Sequence, residues 1–189
     1  WDRRGMVVGH VQSGKTANYT GLICKAADAG YRLIIVIAGI HNNLRNQTQA
    51  RIDEGFIGRD TGRSQETNKG NAKHIIGVGR FDGSNTPVSL TNTLRDFNKA
   101  TASTNTSEID SYKVPVVLVI KKNHRTLANL LDWLKDNSAR GDQLMIDQPM
   151  MLIDDEADNA SINTKYGKKL VTTINGQIRD LLNTFHRSC

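Results

Sequence analysis

The sequence predicts an α/β fold in which a mostly parallel central sheet lies between two layers of helices. Three observations indicate this fold. Short apolar runs alternate with stretches of helical periodicity along the chain. One run, Leu33–Ala38 (LIIVIA), is apolar at every position, as strands buried on both faces of a parallel sheet are. The 189 residues, of which 38% are hydrophobic, suffice for a single domain spanning residues 1–189 with its own core.

The predicted strands are the short apolar runs, each too brief to form a helix of ordinary length. They lie at residues 6–8, 33–38, 74–78, 116–120 and 150–153. Since right-handed crossovers join parallel strands through helices, we expect the helices to cover both faces of the sheet. Ligands of such sheets bind beyond the carboxyl ends of the strands, so the residues that follow each strand are the first candidates for chemistry.

The predicted helices are the stretches with apolar side chains three and four residues apart. The first begins at Lys15 and ends before a cap at Gly30, and the second begins at Asn42 or Asn43. Further helices are expected at residues 90–97, 127–134 and 171–185. Two polar stretches, residues 56–73 and 100–113, are predicted to be exposed loops.

Composition narrows the classes of function. The net charge of +6 favours an anionic partner such as nucleic acid, although a mildly basic surface without a partner explains it equally well. Cys24 and Cys189 form neither a disulfide framework nor a metal site, which fits a cytoplasmic protein. No apolar run approaches the roughly 18 residues of a membrane span, so no membrane partner is expected. Because the chain begins without Met, we expect it to be part of a longer protein.

The glycine-rich stretch GHVQSGKT, residues 9–16, follows the first predicted strand and precedes an amphipathic helix. It satisfies the pattern G-x-x-x-x-G-K-[S/T] in full. Its glycines let the backbone fold tightly, so that successive N–H groups point at phosphate oxygens. Lys15 can reach the terminal phosphates and Thr16 can hold Mg²⁺. The predicted nucleotide-binding residues are Gly9, Gln12, Ser13, Gly14, Lys15 and Thr16.

The acidic stretch DDEADNAS follows the strand predicted at residues 150–153. Asp155 is placed to bind Mg²⁺, and Glu156 is placed to orient or deprotonate an attacking water. An acidic cluster alone is more often a solvated strand end. A phosphate loop on the same edge of the sheet favours the interpretation that the cluster is half of a hydrolysis site. Since side chains alternate along a strand, we expect Asp154 to point away from Asp155 and assign it no catalytic role.

Two polar turns, GIHNNLRNQTQAR and KKNHRTLANLL, follow the second and fourth predicted strands. Such turns can bind a nucleic-acid backbone through side chains and helix-start amides. Ordinary helix capping and a solvated charge run explain the same residues equally well, and both interpretations stay open. The candidate nucleic-acid contacts are Asn42, Arg45, Gln47, Lys121, Lys122 and Arg125.

The order of these motifs resembles the first motor domain of superfamily-two helicases. Residues 155–158 match the Asp-Glu-Ala-Asp of the DEAD-box class, Leu44 and Gln47 fit the L-x-x-Q of the second helicase motif, and residues 121–125 lie where that family has a strand-contacting motif. Residues 3–53 are more closely similar to the Z-one domain of bacterial endonucleases, which are helicase-like proteins linked to restriction and phage defence.

The resemblance implies a RecA-like P-loop NTPase fold that binds ATP and Mg²⁺, with DNA as the expected track. It implies hydrolysis with Lys15 on the phosphates and Glu156 as the base. It also implies a second RecA-like domain in the parent chain that supplies an arginine finger, so we expect this fragment alone to bind nucleotide weakly and hydrolyse it slowly. No nuclease cluster is recognisable among the five histidines, so an endonuclease activity rests on the family alone.

Two other functions share the glycine loop. A small-molecule or nucleotide kinase needs an acceptor pocket and an arginine-bearing lid, for which residues 56–73 and 100–113 are candidates; the Asp-Glu pair instead favours water as the acceptor. A non-catalytic interaction module would bind ATP without turnover. The sequence leaves open DNA against RNA and the direction of movement.

Overall fold

The computed structural model describes residues 4–10, 13–63, 74–81, 83, 86–105, 113–137, 145–168 and 170–189. Over these residues it is an α/β chain with one sheet and five α-helices. The strands are β1 Leu33–Ala38, β2 Val88–Ser89, β3 Val116–Lys121 and β4 Met150–Asp154. The helices are α1 Lys15–Asp28, α2 Asn42–Ile52, α3 Lys99–Asn105, α4 His124–Asn137 and α5 Thr173–Asn183. A π-helical turn, Asp53–Ile57, extends α2.

All four strands are parallel and follow the order β2-β3-β1-β4, which confirms the predicted α/β class and parallel sheet. β1 pairs with both β3 and β4, and Ile35 lies opposite Leu118 on one side and Leu152 on the other. At the carboxyl end, Ala38 pairs with Lys121 and Ile37 pairs with Asp154. The register therefore brings the residues after three strands to one edge of the sheet.

The core lies on both faces of β1, which is completely buried along its length. Leu33, Ile35 and Ile37 belong to a hydrophobic cluster with α3, α4 and α5. Ile34, Val36 and Ala38 belong to a second cluster, with α1 and α2. A strand with two apolar faces is the one that can separate two helical layers, which explains the unbroken run LIIVIA. Among the described residues, no helix combines the length and apolar character needed to cross a bilayer.

The predicted helix at residues 90–97 is wrong, because these residues form an irregular loop around the side chain of Arg45. Only 2% of Arg45 is exposed. Its guanidinium donates to the main-chain carbonyls of Asn92 at 2.9 Å, Arg95 at 3.2 Å, Thr93 at 3.3 Å and Val119 at 3.4 Å. The carbonyls of a helix all point along its axis and cannot converge on one cation, so the loop conformation prevails.

Two predicted strands are also wrong. Residues 6–8 lie outside the sheet, with Met6 86% and Val8 81% exposed. The outer edge of β4 is instead paired by residues 187–189, through bonds such as Leu152 N–H to the Cys189 carbonyl at 2.7 Å. The segment predicted as a strand at residues 74–78 makes one bridge and then a 3₁₀ turn, Gly77–Arg80. A Cβ at Gly79 would collide with the backbone of Gly58, so this segment packs against the π-helical turn and not into the sheet.

The remaining predictions concern helices and loops. β1, β3, β4, α1, α2, α4 and α5 lie where periodicity predicts them, although α5 is shorter than expected and His41, not an asparagine, occupies the cap position of α2. The predicted loop at residues 100–113 is wrong in its first part, which belongs to α3. Residues 106–112 of that loop, and residues 64–73 of the other, lie outside the described residues.

We expect Arg45→Ala to lower the free energy of unfolding by about 3 kcal/mol, because it leaves several buried carbonyls without a donor. Urea denaturation followed by circular dichroism measures the change. Arg179→Ala in the exposed part of α5 is the matched control and should change stability by less than about 0.5 kcal/mol. Equal effects of the two substitutions would contradict the structural role of Arg45.

Candidate nucleotide and metal site

Two described residues of the glycine loop bind the ammonium group of Lys15. Lys15 Nζ donates to the main-chain carbonyls of Gly9 at 2.9 Å and His10 at 3.0 Å. Gly14 has a φ of 80°, a left-handed conformation that lets the chain turn directly into α1. A Cβ at Gly9 would lie 2.5 Å from Ser13 Oγ, so a larger residue there would disturb the loop. The predicted contact Gln12 lies outside the described residues.

The acidic turn continues the register of β4. The Asp155 N–H donates to the Ile37 carbonyl at 2.9 Å, which fixes Asp155 beside the end of β1. Glu156 then adopts a φ of 53°, a left-handed conformation that is unusual for a residue with a side chain, and it is exposed. Successive acidic residues therefore point to different surroundings, with Asp154 paired inside the protein and Glu156 open to solvent.

Tyr19, on the buried face of α1, contacts the acidic turn, a role that sequence reasoning missed because only its hydroxyl group distinguishes it from a core residue. Its hydroxyl donates to Asp155 Oδ2 at 3.1 Å. Burial raises the pKa of Tyr19 to about 12; the charge of Asp155 acts in the same direction, and hydrogen bonds with Thr16 and Thr48 oppose it. The phenol hydroxyl thus contacts Asp155, one of the two residues predicted to bind the metal, and it projects from the helix whose first turn carries the other, Thr16.

A second unforeseen contact involves the hydroxyl of Thr16. Arg51, in the last turn of α2, donates from Nη1 to Thr16 Oγ1 at 2.9 Å. Thr16 and Asp155 offer one hydroxyl and one carboxylate, a donor set that suits Mg²⁺ when phosphate oxygens and water complete its octahedral shell. Over the described part of the chain, no group of three His, Cys, Asp or Glu side chains could hold a metal by itself.

Gly39 contacts the side chain of Glu156. A Cβ at Gly39 would lie 2.6 Å from Glu156 Oε2 and 2.7 Å from Leu44 Cδ1. The carboxylate of Glu156 therefore lies directly against the backbone where β1 ends. A glycine immediately after a buried strand was the only signal of this close approach in the sequence.

The six candidate nucleic-acid contacts fall into two groups. Asn42, Gln47 and Arg125 are exposed and Lys121 is half-buried. Lys121 ends β3 and Asn42 and Arg125 lie in the first turns of α2 and α4, near the carboxyl edge of the sheet, whereas Gln47 lies further along α2. Arg45 and Lys122 are each only 2% exposed. The predicted surface role of these two is corrected, because their charged groups bond to main-chain carbonyls inside the protein.

A cavity of about 350 Å³ opens beside the acidic turn. Its lining comes from Ala160, from the first residue of α4 (His124) and from the start of α5 (Thr172, Thr173 and Ile174). The amino ends of two helices meet there, and such ends carry a partial positive charge.

No protein-family model, curated protein or solved structure matches the chain. Function is therefore inferred from the motifs and from the geometry of the site.

A double-mutant cycle tests the contact between the two motifs. We expect Tyr19→Phe and Asp155→Ala to show a coupling energy of about 1–2 kcal/mol in unfolding experiments, since either change removes the hydrogen bond to the carboxylate. The exposed pair Arg51 and Thr16 serves as the comparison and should couple by less than about 1 kcal/mol. Additive effects at Tyr19 and Asp155 would show that the contact contributes nothing.

Proposed function

We propose that this chain is the ATP-binding and hydrolysing motor domain of a helicase-like or DNA-translocase-like protein, with a RecA-like three-layer fold. One observation supports this proposal above the others. Helix α1, which begins with the last two residues of the glycine stretch, is joined to the acidic turn, more than a hundred residues away in sequence, by the hydrogen bond from the Tyr19 hydroxyl to Asp155 Oδ2. A phosphate loop joined to an acidic turn is what hydrolysis of a nucleoside triphosphate requires.

In this proposal the loop residues bind the phosphates. Lys15 exchanges its bonds to the Gly9 and His10 carbonyls for phosphate oxygens, with little movement of the chain. The N–H groups at the start of α1 face the same anion, and the helix end adds its positive partial charge. Thr16 and Asp155 would hold Mg²⁺, which neutralises charge that develops on the phosphates.

Glu156 is the proposed general base. Its carboxylate is exposed and lies against Gly39, beyond the carboxyl end of β1, where a water can reach it. A carboxylate in this position can accept a proton from water or hold the water in line with the phosphate. The pair of Asp155 and Glu156 after a strand favours water over a second substrate as the phosphate acceptor, and so favours hydrolysis over a kinase reaction.

Nucleic acid, with DNA as the expected polymer, is the proposed partner. Asn42, Lys121 and Arg125 lie near one edge of the sheet, with Gln47 further along α2, in a chain with a net charge of +6. The cavity at the starts of α4 and α5 supports a polyanion at the same edge. A second RecA-like domain of the parent protein would supply the arginine finger, and the similarity of residues 3–53 to the Z-one domain supports a role in restriction or phage defence.

The hydrolysis proposal predicts opposite behaviour for two variants of the full-length protein. Lys15→Ala should abolish binding of a fluorescent ATP analogue, whereas Glu156→Gln should keep binding and reduce kcat by about 100-fold or more. Lys25→Ala and Glu54→Gln change exposed residues of the same types and serve as controls. Undiminished turnover by Glu156→Gln would exclude Glu156 as the base. Phosphate release that requires an added acceptor would indicate a kinase, and binding without turnover would indicate an interaction module.

The nucleic-acid proposal predicts stimulation of turnover by the polymer. We expect single- or double-stranded DNA to raise kcat more than RNA does, and Arg125→Ala to weaken that stimulation several-fold without changing turnover in the absence of DNA. The apparent affinity for DNA should also fall steeply as salt increases, because phosphate contacts release counterions. Stimulation that is equal for wild type and Arg125→Ala would remove Arg125 from the contact surface.

A further inference from the structure

We propose that Lys122 is a positioning residue that fixes the acidic turn and thereby aims Glu156 at the site above Gly39. The catalytic part of this inference rests on the proposed hydrolysis. Lys122 follows β3 directly, and its side chain has 0% exposure. A lysine that gives up all contact with water must gain comparable interactions inside the protein, so its partners indicate its role.

The ammonium group of Lys122 lies at the centre of the acidic turn. Its Nζ donates to the main-chain carbonyls of Asp155 at 2.9 Å, Glu156 at 2.6 Å and Asn159 at 3.1 Å. It also forms an ion pair with Asp154 Oδ1 at 2.9 Å. Three of these four oxygens belong to the main chain of one short turn. An ammonium group has three N–H donors, so Lys122 can bond to three carbonyls of the turn at the same time.

The main chain of Lys122 bonds to the end of β1, on the other side of the Glu156 carboxylate. Its N–H donates to the carbonyls of Ala38 at 3.1 Å and Gly39 at 3.3 Å, at the end of β1. Glu156 Oε2 lies against this same glycine. Lys122 therefore bonds to the main chain of Glu156 and also to the main chain of Gly39, against which the Glu156 carboxylate lies.

The acidic turn depends on these contacts because two of its residues have strained backbone conformations. Glu156 has a φ of 53° and Ala160 has a φ of 64°. Left-handed conformations of non-glycine residues cost of the order of 1–3 kcal/mol and persist where surrounding contacts enforce them. Without the ammonium group, Glu156 would relax to a negative φ, and its carboxylate would leave Gly39.

A simpler role for Lys122 is to neutralise the charge of Asp154, whose side chain is 19% exposed. The two roles differ in what happens when both charges are removed together. If Lys122 only balances charge, Asp154→Asn should rescue Lys122→Met completely. If Lys122 positions the turn through its carbonyls, the double variant should regain stability but not catalysis.

The experiment uses the full-length protein carrying Lys122→Met, Asp154→Asn or both, with Lys25→Met as an exposed control. Amide hydrogen exchange of residues 155–160, measured by mass spectrometry without nucleotide, reports on the turn independently of activity. We expect exchange in Lys122→Met to rise about tenfold while β1 and β3 stay protected. Affinity for a non-hydrolysable ATP analogue should stay within about threefold, and kcat should fall about tenfold or more. Should Lys122→Met fail to fold, Lys122→Arg replaces it, because the larger guanidinium cannot take the place of a completely buried ammonium group without shifting the turn.

Three results would overturn the inference: unchanged exchange in Lys122→Met, unchanged kcat despite faster exchange, or full recovery of kcat in the double variant. A wild-type protein that never hydrolyses ATP would refute the proposed function instead. In that case faster exchange of residues 155–160 in Lys122→Met still supports the positioning role, and unchanged exchange overturns it as well.

Discussion

Pairing of β1 on both sides is the constraint on which the rest of the structure depends. Its six residues are buried on both faces and bonded to β3 and β4, so its carboxyl end cannot move relative to either neighbour. Gly39 leaves the sheet between Lys122 and the acidic turn because of this register. The relative positions of Gly39, Lys122 and Asp155 are therefore set by backbone ladders, which hold side chains more accurately than loops do.

Sequence patterns predicted most of the sheet and most helices, because apolar periodicity records which faces are buried. They failed where one distant side chain decides a local conformation. Residues 90–97 have helical spacing, yet the guanidinium of Arg45 collects their carbonyls. Glycines at positions 77 and 79 allow a close approach that replaces a predicted strand. Neither influence is visible within the window of residues that a periodicity argument uses.

The candidate site shows the same division. The glycine loop and the pair Asp155 and Glu156 could be predicted because their chemistry requires fixed residue types at fixed spacing. The burial of Arg45 and Lys122 could not be predicted, since charged residues in polar turns and at the starts of helices are ordinarily exposed. Tyr19 was missed for the opposite reason: its ring fits the apolar face of α1, which conceals a hydroxyl bonded to Asp155.

The contact between Arg51 and Thr16 has a mechanical consequence. α2 has 11 residues, and at its two ends lie Arg51, bonded to a proposed metal ligand, and Asn42, a proposed contact for the polymer. A helix of this size is a rod of about 16 Å. A metal ion at the Thr16 hydroxyl would compete with the Arg51 guanidinium for it and release that side chain. Because Ile52 is completely buried and Gln49 bonds to Asp53 at this same end, α2 keeps its place when the Arg51 side chain is released, and its two ends can move only together.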